Sequence, residues 1–411
     1  MSRSEIKIHL DDTVKDLELF QSKTAIEICK SEILKYGIMM EEIPSHIKEA
    51  DFDYLQSKVP AYDSLYSDFI KVYPNRIENI SNDDRKKKLV SEVIGVAVGI
   101  KYTIELLKTN PSRFKKIGTP TNGKYLDYSI IEENKEYELE TKGTVGQYYS
   151  RFRNDILQKK KDQSFKNVFL RFGTIAMINN RGDKNDSKCV IVDDPPNSNN
   201  ITKDNSFQIQ LLNYGIFLSY ILDSKYYNKY IKPLKSKKID KVKINKKKFF
   251  TKYVFKNKEF YGECFDYRLI RDEEFKKLNL SENISTLFEK KTQKHGKTKF
   301  FIGLDSEIIE AINHKDKEFM RNFSEGWTLN ENELTIKFLD KDGILIIKST
   351  NGDDEQLESI FSEDEVKKRL HLSTNQLLRK PHKCGAPCRS REIKGKPCDV
   401  RTYRSFCHFH R

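Results

Sequence analysis

No stretch of this chain approaches the roughly 18 consecutive apolar residues that a membrane-crossing helix needs, so nothing in it reads as a bilayer span. Met1 to Leu10 is polar and charged and lacks the apolar centre of a signal peptide. The expectation is a soluble protein of the cytoplasm. Cysteine is scarce and odd in number, seven in 411 residues, which argues against a disulfide framework. A glycine-rich, phosphate-cradling loop of the Walker type is missing. His9, His46, His295, His314 and His371 do not group with acids at a hydrolase-like spacing, so each reads as an ordinary surface or core residue. No internal repeat is evident.

What the chain has in excess is positive charge. Seventy-five Lys and Arg stand against 61 Asp and Glu, a net charge of +14. Such a chain is drawn to polyanions, of which nucleic acid is the commonest and an anionic membrane surface the rival. Nine lysines lie between Lys232 and Lys248, a solvated linker in the plainest reading and a phosphate-binding arm in the other. Phe249, Phe250, Tyr253 and Phe255 beside it could stack on bases, although core packing of a strand is the plainer account of them. The length suffices for two to four domains.

Periodicity supplies an outline. Val14 to Met40 has helical spacing, so residues 1–84 are expected to be a helical N-terminal region. Ser81, Asp83 and Asp84 start a long helix, with Leu89, Val93, Val96, Ile100, Ile104 and Leu107 on one stripe, and Asn110-Pro111 ends it. Glu92 sits at the rim of that stripe. Thr119 to Lys124 is a turn, and Tyr125 to Ile131 a strand. Glu136 to Lys142 follows as a second strand, with Tyr137, Leu139 and Thr141 on one face and Glu136, Glu138, Glu140 and Lys142 on the other. Gln147 to Gln163 is a basic amphipathic helix, and Asn167 to Ile178 and Cys189 to Val192 are apolar strands. Residues 85–231 thus form an α/β unit with a mixed sheet. Residues 249–375 form an accessory α+β unit, and residues 379–411 a separate small module.

The chemistry concentrates on the paired strands. Glu-x-Lys by itself is uninformative, since the triplet also starts at Glu5, Glu133, Glu274, Glu289, Glu365 and Glu392. Glu140-Thr141-Lys142 differs in context: it lies on a strand, the strand before it carries Asp127, and a glycine-bearing loop and a basic helix follow. Mg²⁺ keeps several waters, so Asp127 and Glu140 with the Thr141 carbonyl suffice to bind it. Lys142, on the face of Glu140, can orient or deprotonate a water and offset charge on a phosphate, and neighbouring cations would lower its pKa. Glu92 could hold a second metal or a water. Gln147, Arg151 and Arg153 could contact phosphates. The competing reading is a surface hairpin whose charges alternate on a wet face.

On these residues the segment from about 85 to 195 resembles the PD-(D/E)xK nuclease superfamily, with Asp127 as its first acid, Glu140 as its second and Lys142 as its lysine. Glu92 matches the acid that many members place on the preceding helix. Leu126 stands where the motif has proline, a position that varies in the superfamily. The resemblance implies a restriction-endonuclease-like mixed sheet flanked by helices. It also implies Mg²⁺-dependent hydrolysis of DNA, often by a homodimer, with duplex DNA expected and RNA not excluded. A role in restriction or anti-phage defence rests on fold analogy alone. The alternative function is a non-catalytic nucleic-acid-binding zinc protein.

Four of the seven cysteines fall in the last 28 residues. Cys384, Cys398, Cys407 and His410 make a Cys₃His set for structural Zn²⁺; Cys388 competes with Cys384, and His408 is an alternate to His410. Gly395-Lys396-Pro397-Cys398 and Cys407-His408-Phe409-His410 resemble small zinc modules with a wider first gap. Ten Lys and Arg from Arg379 onward would make the folded tail a basic surface for nucleic acid.

Overall fold

The fold is described from a computed structural model. It covers residues 3–14, 17–40, 69–117, 126–146, 148–162, 168–193, 205–218, 230, 232–234, 238–246, 251–266, 298–324, 326–331, 335–350, 354–360, 382–383 and 401–402. The chain divides into two compact units, residues 1–353 and residues 354–411. None of the helices among the described residues is long and apolar enough to cross a membrane.

The larger unit is built on a mixed sheet of nine strands among the described residues. Strand β1 (Arg3–Leu10) pairs antiparallel with β2 (Ala25–Cys29). A short helix α1 (Leu17–Gln21) lies between them. The hairpin of β3 (Ile70–Tyr73) and β4 (Arg76–Asn79) joins the sheet through β4, which pairs in parallel with Asn179 and Asn180 of Leu170–Asn180. After β5 (Lys115–Lys116) come β6 (Tyr128–Glu132) and β7 (Lys135–Val145), then β8 (Leu170–Asn180) and β9 (Lys188–Asp193). The main order is β2-β1-β9-β8-β7-β6-β5, with β7 parallel to β8 and β1 parallel to β9. The class is mixed α+β.

The helical N-terminal region expected over residues 1–84 is therefore corrected. Ser4 and Ile6, and Ile26 and Ile28, are buried at alternate positions on two strands that extend the central sheet. Among the described residues of the segment, helix is confined to Leu17–Gln21, to Lys30–Glu32 and to Ile33–Met40, which forms a π-helix. Such helices are rare, because their wider ring packs poorly unless a tertiary neighbour fills the gap. Here the neighbour is the long helix α2 (Asp84–Leu106): a methyl on Gly37 would meet the Val93 carbonyl oxygen at 2.3 Å.

Helix α2 begins where the oxygen of Asp83 accepts the Lys86 amide at 3.0 Å. Its burial is wider than one stripe, including Val93, Ile94, Ala97, Val98, Tyr102 and Ile104, while Leu89 is exposed. The cause is a layer on each side, the π-helix on one and the sheet on the other. The contact with the sheet is backbone to backbone: a methyl on Gly95 would meet Lys142 C and Gly143 N at 2.4 Å, and one on Gly143 would meet the Ser91 carbonyl oxygen at 1.7 Å. Glycine is required there for that close approach.

The opposite face of β7 and β8 is covered by α3 (Ser150–Asp162), whose Ile156 sits over Gly173. Ile156, Ile175, Met177, Val190 and Val192 form a separate apolar cluster there. Helix α4 (Ser206–Leu218) packs beside β5 and the 3₁₀ turn Pro111–Arg113, where Asn213 donates to the Ser112 and Phe114 carbonyls.

Residues 251–350 add a second, antiparallel sheet to the same compact unit, so the accessory region is not set apart as a domain of its own. Its strands are β10 (Thr251–Phe255), β11 (Lys258–Asp266), β12 (Thr298–Asp305), β13 (Thr328–Glu331), β14 (Thr335–Leu339) and β15 (Ile344–Thr350). They stand in the order β10-β11-β12-β15-β14-β13, with α5 (Ser306–His314) and α6 (Lys317–Asn322) after β12. Tyr253 and Phe255 are buried in β10, so they serve the core; Phe249 and Phe250 lie outside the described residues. Polar side chains tie this sheet to the central one. Lys35 of the π-helix donates to Asp340 and Asp342 at 2.6 Å each, all three buried. The Trp327 indole donates to Glu32 at 3.1 Å, and Tyr214 to the Asp342 carbonyl at 2.8 Å.

In residues 354–411 the described elements are helix α7 (Glu355–Ile360) and a two-residue pairing of β16 (His382–Lys383) with β17 (Arg401–Thr402). The expected zinc ligands Cys384, Cys388, Cys398, Cys407 and His410, and the alternate His408, lie outside the described residues.

Candidate active site on the central hairpin

The hairpin of β6 and β7 is closed by Glu133 and Asn134, both at positive φ (48° and 61°), the geometry of a two-residue turn that matches strand twist. The turn sets the register Glu132 to Lys135 through Tyr128 to Leu139. Asp127 falls one residue beyond the last pair, and its amide still donates to the Leu139 carbonyl at 3.0 Å. Its carboxylate then does what the missing strand would have done: Oδ2 accepts the Thr141 amide and the Thr141 hydroxyl, each at 2.9 Å. A strand residue turns its amide and carbonyl to the same edge, so the Thr141 carbonyl also lies where β6 has ended.

Asp127, Glu138, Glu140 and Lys142 share one face of the sheet, as the alternation requires. That face is dry. Glu138 and Glu140 are both 0% exposed, which removes the reading of charges alternating on a wet hairpin. Glu138 is no rim residue: Arg171 on β8 donates to it at 2.8 Å in a buried pair. Glu140 is held from two elements. Lys142 Nζ lies 2.5 Å from its Oε1, and Lys159 of α3 contacts the same oxygen. Asp155, one turn before Lys159, lies 3.6 Å from Lys142. Oε2 of Glu140 is buried with no hydrogen-bond partner among the described residues.

Burial and then the nearby charge of Asp127 push the Glu140 carboxyl up to about 7, against the pull of Lys142 and Lys159. Lys142 moves the other way from the expectation. Burial alone would lower it, but Glu140, Asp127 and Asp155 outweigh burial and hold its pKa above the ordinary lysine value. The groups facing it are carboxylates, so it stays an ammonium.

The remaining expected residues are not gathered here. Glu92 is half exposed on α2 and pairs with Lys88 at 3.8 Å. Its helix packs on the face of Thr141 and Gly143, opposite to that of Glu140. Arg153 is engaged elsewhere, by Asp11 and Asp12. Arg151 is exposed, and Gln147 lies outside the described residues. Lys159 and Asp155 were not singled out from the sequence. Their spacing of four puts them on one helical face, but Lys159-Lys160-Lys161 looks like any basic helix end.

The donor set suits a hard divalent cation. With Glu140 ionised, three acids (Asp127, Glu140 and Asp155) and two lysines leave one negative charge in excess, and one buried carboxylate oxygen is unmatched near the charge of Asp127. Among the described residues no group of three His, Cys, Asp or Glu side chains could hold a metal. Two carboxylates and a main-chain carbonyl are enough for Mg²⁺, which retains much of its water.

No family model matches the chain, and neither a curated protein nor a solved structure shows significant similarity to it.

Proposed function

We propose that the chain is a Mg²⁺-dependent nuclease acting on DNA, with a site of the PD-(D/E)xK kind on β6 and β7. One observation carries the proposal: Glu140 is fully buried, has an unpartnered oxygen, and is packed with Asp127 and two lysines. A buried, poorly matched carboxylate costs stability, and such groups cluster where chemistry needs them.

Asp127, Glu140 and the Thr141 carbonyl would hold Mg²⁺, which when bound activates water and offsets phosphate charge. Lys142 keeps its proton and so acts as a cation and hydrogen-bond donor to a phosphate oxygen. Lys159, on the same carboxylate, shares its charge between Glu140 and the incoming phosphate. Asp127 is oriented by Thr141, which fixes the distance between the two acids. The overall charge of +14 favours a polyanionic substrate. From sequence alone, the cysteine-rich tail is kept as a Zn²⁺ module that adds to the grip; one equivalent of zinc per chain by elemental analysis, lost in Cys398→Ser, is the expected result.

The test is cleavage of supercoiled plasmid, linear duplex, single-stranded DNA and RNA, with Mg²⁺ or EDTA. The expected outcome is Mg²⁺-dependent cutting of DNA that disappears in Lys142→Ala and Glu140→Gln. Equal cutting by these variants would overturn the site. Gel retardation of DNA without cutting would favour the non-catalytic nucleic-acid-binding alternative.

A further inference from the structure

Strand β1 ends against the helix that covers the site. The Asp11 amide donates to the Ile191 carbonyl at 2.9 Å, so its main chain is anchored to β9. Its carboxylate is nine-tenths buried and accepts the Thr13 amide at 3.1 Å and hydroxyl at 2.8 Å, a turn that fixes its direction. The same carboxylate accepts Arg153 Nε at 2.8 and 3.0 Å and the Tyr149 hydroxyl at 3.2 Å. Asp12 accepts Arg153 Nη2 at 2.6 Å. Burial works against the Asp11 charge, but these donors hold its pKa down at about 2.

Tyr149 immediately precedes α3, and Arg153 lies in its first turns. Two residues after Arg153 comes Asp155, on Lys142; then Ile156, seated over Gly173; then Lys159, on Glu140. One flank of the helix is thus tied to the N-terminal strand and another to the candidate catalytic strand. Among the described residues the Arg153 side chain hydrogen-bonds to Asp11 and Asp12. Ile156, with Phe152 and Leu157, seats the helix on the sheet, and the Asp11 tie adds a polar anchor near its N-terminal end; a displacement of an ångström in a catalytic constellation costs on the order of 100-fold.

We infer that Asp11 and Asp12 are positioning residues of the nuclease site, which set the helix so that Lys159 and Asp155 stand on Glu140 and Lys142. The inference rests on the nuclease reading for its kinetic consequence. It gives residues 1–12, which carry no chemistry of their own, a role in the reaction.

The test is a double-mutant cycle on the full chain. Asp11→Asn with Asp12→Asn removes the charges that Arg153 meets and keeps the turn at Thr13. The partner change is Lys159→Ala. The expected result is a fall in kcat of about 10- to 100-fold for the Asn pair. KM for DNA stays within about twofold, because the helix positions charge around Glu140 rather than the whole substrate. In the Lys159→Ala background the Asn pair costs little more, since the residue it positions is already gone. Asp11→Glu restores part of the lost kcat. Equal losses in both backgrounds, or no loss, overturn the inference. Amide hydrogen exchange separates its failure from that of the nuclease reading. If the parent chain does not cut, the nuclease reading fails. The tie then stands only if the Asn pair speeds exchange over residues 150–162 and leaves residues 84–106 unchanged.

Discussion

Glu140 lies where the opposing terms are most finely balanced. A carboxyl at about 7, against an ordinary 4.5, keeps its proton in the native chain at pH values where the unfolded chain has lost it. Between those values the native state binds more protons, so this group's contribution to stability falls as pH rises. Mg²⁺ at the proposed site would bind the ionised form and work in the opposite sense. Its stabilising effect is therefore expected to be larger at about pH 8 than at about pH 5.5, reaching about 2.7 kcal/mol at one hundred times Kd. Thermal melts at the two pH values with and without Mg²⁺ check this, and Glu140→Gln should lose the pH dependence of the metal effect. An equal rise in Tm at both values would mean that the metal binds elsewhere. Lys159→Ala should also lower kcat, in a cleavage assay at saturating Mg²⁺, while leaving the chain folded by circular dichroism.

At the scale of elements, the site depends on how closely α2 lies on β7. A methyl at Gly143 would stand 1.7 Å from the Ser91 carbonyl oxygen, and both sides of that contact are backbone. The helix would have to lift, and overpacking of this kind costs about 1–3 kcal/mol. Gly143→Ala should lower the urea midpoint accordingly and weaken cleavage, because Lys142 is the adjacent residue. Gly326→Ala, where a methyl meets nothing within 4 Å, is the control expected to change little. The elements around the site were largely legible in the sequence. The observed β7, β8, β9, α2 and α3 overlap the segments expected from alternation and helical spacing. The first two strands were not, since Ala25–Cys29 is short and lies within a longer run whose apolar residues also fit a helix.

Across residues 1–353, buried charge ties the two sheets together. Lys35 pairs with both Asp340 and Asp342, at 3% exposure, and Asp342 is pushed up to about 6 by burial and by Asp340, against the pull of Lys35. Removing one partner of such a group leaves the others uncompensated, a loss of about 3–5 kcal/mol. Lys35→Met should therefore cost that much in denaturant, seen by fluorescence from Trp327, which stands on the second sheet and donates to Glu32. Unfolding of residues 1–353 is expected to be one transition, because the π-helix, α2 and both sheets share one apolar core. Two separated transitions would show that the polar ties are dispensable.

The sequence by itself determined that Glu138, Glu140 and Lys142 would share a sheet face, because side chains two apart on a strand point the same way; the two-residue turn at Glu133 and Asn134 set the register that brought Asp127 to that face. It also determined the basic helix that follows. Only the tertiary structure decided which charges act together. Burial beneath α3 turned a hairpin face that could have been wet into a dry one and raised Glu140. The crossing of α2 on the other face left Glu92 outside, and Arg153 met Asp11 across 142 residues of chain. Lys159 reached Glu140 from 19 residues away. Periodicity records which way a side chain points along its own element. Which partner it meets depends on how elements pack, and that is set by contacts distant in sequence.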